Sequence, residues 1–421
     1  MRNTFLNRVK VRVVLMVVQV AVVVVTNEKA AKAIRKRLNT FKVVLCALGL
    51  ILSTFFIGTA HSAVLPTERA DVLYHSYEGD GVSIDGPSVL LRKNIAGKVS
   101  VSANYYVDTV SGASIDVRAT ASPYEEVRKE KTVGFDFLNN KTLLSTSFTN
   151  SSENDFEANS VYVGVSQDFF GDLSTISLSY AKGWDVVGRR GDEGFEEEAD
   201  RNKFGLGFSQ VATKSLIVGF NVEHISDEGY LNNPYRSVRF LDSSAERGFN
   251  FATEKYPNTR SSTAFSINAN YYLPYRAAIY GDARTYSDTW GIKARNFKIG
   301  YIHPVKDDWV FEVFVRHYQQ DKADFYQDLF SRPDEFNFMA RDKEMSTYTG
   351  LTAGISVSYE WQFSQTAMFK KSAVHFEWDY MKFDYDDFRD ATAEAPVGEE
   401  PLFGFSANVL RIFKKITEIP N

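Results

Sequence analysis

The stretch SVYVGVSQDFFGDLSTISLSYAKGW, Ser160 to Trp184, alternates nearly without fault, and this pattern constrains the chain more than any other feature. Val161, Val163 and Val165 point one way, and Tyr162, Gly164 and Ser166 the other. After a turn at FFGD, Ile176, Leu178 and Tyr180 share a face opposite Thr175, Ser177, Ser179 and Ala181. A period of two with one apolar side is that of paired strands. The apolar side faces a second sheet in a soluble sandwich, or lipid in a membrane barrel whose small, polar face lines a lumen.

The pattern recurs from Ala70 to the C-terminus. Leu351, Ala353, Ile355, Val357, Tyr359, Trp361 and Phe363 oppose Thr352, Gly354, Ser356, Ser358, Glu360 and Gln362, and Val374, Phe376, Trp378 and Tyr380 oppose His375, Glu377 and Asp379. Two kinds of connector separate the segments. Short ones are NIAGK (Asn94 to Lys98), NNK after Leu138, DFFGD at Asp168, ATK at Ala212, LPYR at Leu273, VKDD at Val305 and the somewhat longer SQTAMFKKS after Phe363. Longer, polar ones run from Ser111 to Glu126, Ser151 to Glu157, Val186 to Asp200, Ser226 to Arg260, Asp321 to Lys343 and Asp386 to Glu400. Their alternation predicts an all-β, transmembrane antiparallel barrel with short periplasmic turns and long extracellular loops. The count is sixteen strands from DVLYHSYE to FGFSANVLRIF, which puts both termini at the short-turn rim. It is fourteen if EGDGVSIDG is a loop. Aromatic residues at strand ends (Trp184, Tyr271 with Tyr272, Trp309, Trp361 with Phe363) suit an interfacial girdle.

Composition agrees. The 421 residues include 33 Phe, 22 Tyr and 5 Trp, yet 24% are charged, which excludes a helical membrane bundle but suits a barrel whose strands need only every second residue apolar. The single cysteine, Cys46, permits no disulfide framework. It lies in KVVLCALGLILSTFFIGTAHSA, an apolar run behind Arg35 to Arg37 that ends at Ala60-His61-Ser62. This reads as a secretory signal with a small-x-small cleavage pattern, the alternative being a membrane anchor. A second apolar stretch upstream suggests a start assigned too early, with residues 1–37 outside the true chain and initiation at Leu38. The expected organisation is therefore a targeting region over 1–62 and one barrel domain over 63–421. Residues 1–62 hold ten Lys or Arg and one Glu, a net +9, so the total of −5 leaves −14 for the remainder. Such acidity argues against nucleic acid as a partner. The expected surroundings are outer-membrane lipid and lipopolysaccharide, with the barrel-assembly machinery as folding partner, a small solute or ion as cargo, and no cofactor.

Several segments together, DGPSVLLRKN, SVSANYYVDTVSGASIDV with ATASPYEE, SQDFFGDLSTISLSYAKGWDVVGRRGD, DEGYLNNPYRSVRFLD, YYLPYRAAIYGDARTYSDTWGI and DFYQDLF, resemble a family of bacterial outer-membrane proteins catalogued as a domain of unknown function. The resemblance implies a Gram-negative outer-membrane barrel and brings no activity or catalytic residue with it.

Function must then come from the residues. Alternation places Asp108, Asp136, Glu223, Asp282, Glu312, Glu360, Glu377 and Asp379 inward, against Lys298, Arg284 and Arg316. Charged rings set the sign of the ions that a wide pore admits, so this wall predicts mild cation preference. The other reading is a salt-bridged interior that conducts nothing. In GRRGDEGFEEEADR, the carboxylates Asp192, Glu193, Glu196 and Glu197 are weak candidates for a divalent cation, their spacing matching no defined calcium loop, and a solvated acidic loop is the plainer reading. The Arg190-Gly191-Asp192 triplet within it is of a kind that arises by chance. The Asp321 to Lys343 segment carries Phe325, Tyr326, Leu329 and Phe330, with Phe336 and Phe338. That is too apolar for a solvated loop, so it either folds inward as a constriction or lies as a lid over the mouth. No nucleophile motif accompanies His75, His224, His303, His317 or His375, and enzyme chemistry is not expected. The functional expectation is a passive channel or uptake port. The rival is a non-conducting scaffold that holds a periplasmic or surface partner, for instance one that transfers electrons.

Overall fold

The alternating segments form strands and the sheet closes on itself. In the computed structural model, which describes residues 64–112, 114, 124–362 and 371–417, sixteen antiparallel strands make one ring. They are β1 (Arg69–Gly79), β2 (Val82–Ile95), β3 (Val99–Gly112), β4 (Tyr124–Asn139), β5 (Thr142–Ser152), β6 (Phe156–Phe169), β7 (Ser174–Arg189), β8 (Asp192–Thr213) and β9 (Leu216–Gly229), then β12 (Thr259–Tyr272), β13 (Ala278–Asp288), β14 (Lys293–Val305), β15 (Trp309–Gln320), β16 (Tyr348–Gln362), β17 (Lys371–Arg389) and β18 (Leu402–Thr417). Between β9 and β12, β10 (Ser237–Leu241) and β11 (Phe249–Thr253) form a separate two-stranded hairpin. The described residues contain no α-helix, only one 3₁₀ turn over Lys343–Met345. The proposed signal region, most of the β3–β4 connection and the β16–β17 turn lie outside the described residues.

DVLYHSYE is a barrel strand, so the count is sixteen. β1 pairs with β18 from Arg69↔Thr417 to Gly79↔Ala407, and with β2 on its other edge. The doubtful EGDGVSIDG holds a two-residue hairpin turn in which Asp80 and Gly81 both take positive φ (52° and 72°), as a type I′ turn demands. Further along β2, a Cβ on Gly86 would stand 1.9 Å from the Val107 carbonyl oxygen. The β2–β3 ladder skips Gly86 and Pro87 there, because proline has no amide to donate.

One face of the wall is apolar and exposed: Phe265, Ile267, Phe297, Ile299, Val313, Val315, Leu351 and Ile355 are each between 43% and 58% accessible. The other face holds side chains from strands two apart in the ring that still touch, such as Tyr280 with Glu312 and Arg284 with Glu223. Strands two apart are separated by nearly 10 Å, and their side chains converge only on the concave side. That side is the lumen, and the apolar face is the outside. Val161, Val163, Val165, Ile176 and Leu178 share the outer face through the register that links Phe135, Thr146, Val163, Tyr180 and Phe204. Tyr271, Trp309 and Tyr359 are exposed at the rim of the termini.

Connector length does not follow the expected strict alternation. At the far rim, β1–β2, β5–β6, β7–β8 and β13–β14 are joined by short links as well. Ser151 to Glu157 shrinks to residues 153–155, and Val186 to Asp200 is no loop: β7 and β8 run on as a ribbon to a turn at Arg190 and Gly191. Charged residues obscured this extension, because a strand beyond the bilayer need not keep an apolar face.

Candidate functional site

The predicted wall residues face the lumen, each with a partner on a nearby strand. Asp136 accepts from Arg92 Nη1 and Ser145 Oγ, both at 2.7 Å. Glu223 sits between Arg284 Nη2 (2.6 Å) and Lys203 Nζ (2.7 Å). Asp282 accepts from Asn296 at 3.4 Å, and Asn296 Oδ1 accepts from Arg316 Nε at 2.5 Å. Glu312 accepts from the Tyr280 hydroxyl. Glu360 pairs with Lys371 at 2.6 Å. Arg411 on β18 bridges Glu377 (Nε–Oε2 2.8 Å) and Asp379 (Nη2–Oδ2 2.6 Å). Asp108 meets both His75 and Arg128 at 2.7 Å. The sequence reading named the acids and missed Arg92, Arg128, Lys203, Lys371 and Arg411. Those cations stand at the inward positions of their strands, so the same alternation carried the signal. His224 lies on the outer face beside Thr263, and His317 is likewise outward. His375 accepts or donates with Ser358 Oγ at 2.5 Å while stacked on Phe413, 4.1 Å between ring centres.

The 321–347 segment folds into the mouth. Ala323 and Tyr326 are buried with Ile292, Tyr385 and Phe388, and Phe325, Tyr348, Phe383, Phe403 and Phe405 pack around them. Phe383 and Phe405 belong to the inward set of β17 and β18, so the contact lies inside the barrel. Phe330 is buried with Val238 and Met339 against the β10–β11 hairpin, bridging to Phe240. Leu329 is half-buried, while Phe336 and Phe338 are exposed. Trp290 and Tyr256 pack edge to face (5.4 Å) around buried Ala340. The 321–347 segment, the hairpin and the 390–401 connection thus form one cap.

Charge ties the cap together where water is excluded. Arg239 on β10, fully buried, donates to Glu400 (2.5 and 3.2 Å), to the Asp328 carbonyl (3.0 Å) and to the Asp328 carboxylate. Arg341 reaches Asp328 and the Arg389 carbonyl (2.7 Å). Glu254 accepts from the Arg341 and Asp342 amides (2.6 and 2.7 Å) and from Tyr256. Lys343 binds Asp80 in the β1–β2 turn at 2.7 Å, so the cap reaches across the mouth. Burial alone would raise the Glu400 carboxyl. The Arg239 hydrogen bonds outweigh it and hold that carboxyl below its ordinary value. Glu254 goes the other way: burial raises its carboxyl despite the donors around it.

Under the cap lies a cavity of about 860 Å³. Arg260, Arg284 and Arg316 enter it from the wall, and Arg236 and Lys343 from the cap, against the carboxylates Asp80 and Glu344. Tyr286, Tyr318, Tyr348, Phe383 and Phe405 supply aromatic surface. The wall was read as acid-rich with Lys298, Arg284 and Arg316 as its bases, and at this cavity Arg284 and Arg316 stand together with Arg236, Arg260 and Lys343.

The acidic run lies along a strand. Asp192, Glu193, Glu196 and Glu197 lie on β8, where alternation sends Glu196 and Glu197 to opposite faces, and Asp192 pairs with Arg189. The described residues contain no group of three metal-ligating side chains.

Closed, apolar outside and polar within, this is an outer-membrane-type β-barrel. The model of the family described as "Protein of unknown function (DUF3570)" matches residues 194–383, in agreement with the resemblance read from the sequence. No curated protein sequence matches the chain. Among solved structures the chain is similar to a bacterial polysaccharide outer membrane secretin (8% identity over 85% of this chain and 100% of that one, TM-score 0.46). It is also similar to the CymD monoaromatic hydrocarbon channel (10% identity, 84% and 89%, TM-score 0.41) and to the outer membrane protein opdK from Pseudomonas aeruginosa (10%, 83% and 99%, TM-score 0.39). Identities this low carry no substrate across.

Proposed function

We propose that the protein is a passive outer-membrane channel or uptake port for a small solute, with the cap as its constriction. One observation carries this reading: a polar, charge-paired wall on the concave side opens beneath the cap into a cavity lined by ionised groups. Sixteen strands leave an aqueous lumen unless side chains or loops fill it, and here the cap fills the mouth. In this reading the cap faces outside the cell and the rim of the termini faces the periplasm. The apolar run before Ala63 serves as the export signal. We propose no reaction for the Ser358–His375 contact, whose imidazole is committed to Phe413.

Single-channel recording of the purified barrel in a planar bilayer tests the reading. Discrete current steps are expected, and their absence over a range of voltages would remove it. The buried ties of the cap favour the second reading, a plugged barrel that serves as a scaffold, which predicts silence in the same recording.

A further inference from the structure

We propose that the cavity under the cap binds a small organic anion, a carboxylate borne on an aromatic ring, and that Arg316 receives the carboxylate. The proposal deepens the port reading and rests on it for its physiological sense.

The cations around the cavity differ in what they are already doing. Arg260 is spent on Asp288 (2.6 and 2.8 Å) and Arg284 on Glu223 (2.6 Å). Arg316 has no carboxylate within ion-pairing distance among the described residues. Its cross-strand neighbours are Lys298 and Thr352, a like charge and a hydroxyl. Its one hydrogen bond, Nε to Asn296 Oδ1, fixes the plane of the guanidinium and leaves the terminal amino groups pointing away from that bond. A planar fork with two donors unclaimed matches the two oxygens of a carboxylate. A half-buried cation without a counter-ion carries a desolvation cost that an incoming anion relieves.

The rest of the cavity specifies the body of the ligand. The Arg316 guanidinium lies 5.7 Å from the Tyr318 ring centre, and Tyr286, Tyr348 and Phe383 line the same space. Aromatic surface around one fixed charge selects a ring that carries a single anionic group. The volume suits a small molecule rather than a polymer, since ligand cavities run from about 300 to 1,000 Å³. Glu223 is shared by Arg284 and Lys203, which leaves one positive charge in excess on that wall, a field that a neutral analogue does not feel.

The test is calorimetric titration of benzoate into the full barrel purified in detergent, with benzamide as the neutral isostere. Saturable benzoate binding is expected, at least tenfold tighter than benzamide. Arg316→Gln should weaken benzoate at least tenfold and Arg316→Lys by less, whereas Arg276→Gln, at an exposed turn on the opposite rim, should change nothing. Circular dichroism and heat-modifiable mobility confirm that each variant is folded. No saturable binding in the parent, equal binding of benzamide, or full affinity in folded Arg316→Gln would overturn the site. Bilayer recording separates the two claims: current without benzoate binding keeps the port and removes the site, and benzoate binding without current keeps the site and removes the port.

Discussion

Arg239 and Glu400, 161 residues apart, meet as a fork on a carboxylate with both side chains at most 1% exposed. Removing one partner of such a pair leaves the other charged and dry, at a cost of about 3–5 kcal/mol. Arg239→Ala should therefore release the cap while the barrel stays closed. Limited proteolysis is expected to cut within 321–347 in the variant and not in the parent, with unchanged heat-modifiable mobility. An uncut variant would mean that the apolar clusters hold the cap alone.

Acid should act on the same tie. The Glu400 carboxyl titrates below its ordinary value in the fold, so its contribution is complete above the unfolded pKa, about 4.3, and is lost as pH falls through the lower folded one. Glu254 has the opposite sign: its raised carboxyl favours the fold below the unfolded pKa, and that contribution is lost as pH rises through the folded value. Cleavage of the cap by an acid-active protease should rise steeply below pH 4 in the parent. Glu400→Gln should be cut at all pH values with a flatter profile. Identical profiles would show that Glu400 does not set the acid limit.

The two faces of β16 can be told apart by one charge. Val357 shares the outer face with Phe311 and Phe376, while Ser356 stands between Glu312 and Glu377 on the lumen face. Val357→Arg is expected to cost about 2–4 kcal/mol near the bilayer midplane and to lower the yield of folded barrel in membranes. Ser356→Arg should fold as the parent does. Equal yields would place the apolar face somewhere other than lipid.

Arg411 balances only part of the acid cluster formed by Glu312, Glu377 and Asp379. Replacing the three acids by Gln, Gln and Asn leaves Arg411 without either of its carboxylate partners. In a conducting barrel the reversal potential under a salt gradient should move toward anion preference, and adding Arg411→Gln should bring it partly back. A triple variant with the parental reversal potential would place these groups off the conducting path.

The barrel was legible because the lipid boundary writes a period of two into every strand that crosses it. Val161 to Val165 and Leu351 to Val357 show it without interruption. The rule lapses beyond the bilayer: Asp192 to Asp200 stays extended with charges on both faces and looked like a loop. SVRFL and FNFAT make a short hairpin inside a segment read as one long connection. The inward acids were found by alternation, but their partners depend on which strands become neighbours two places around the ring. The cap depends on still longer separations, since nothing near Arg239 in the chain points to Glu400. The aromatic content of Asp321 to Lys343 did show that the segment must be covered, and the structure adds that it is covered from within.

The pairing of β1 with β18 joins Arg69 to Thr417, the first strand to the last. Ring closure of this kind must await the whole chain, and entropy opposes bringing ends so distant together. Until then β1 and β18 each present a row of unpaired amides and carbonyls, which neither hydrocarbon nor a crowded aqueous compartment tolerates for long. The slow step in making this molecule should accordingly be the zipping of that seam. Variants that weaken the first strand should accumulate as an open, aggregation-prone ribbon instead of unfolding after assembly.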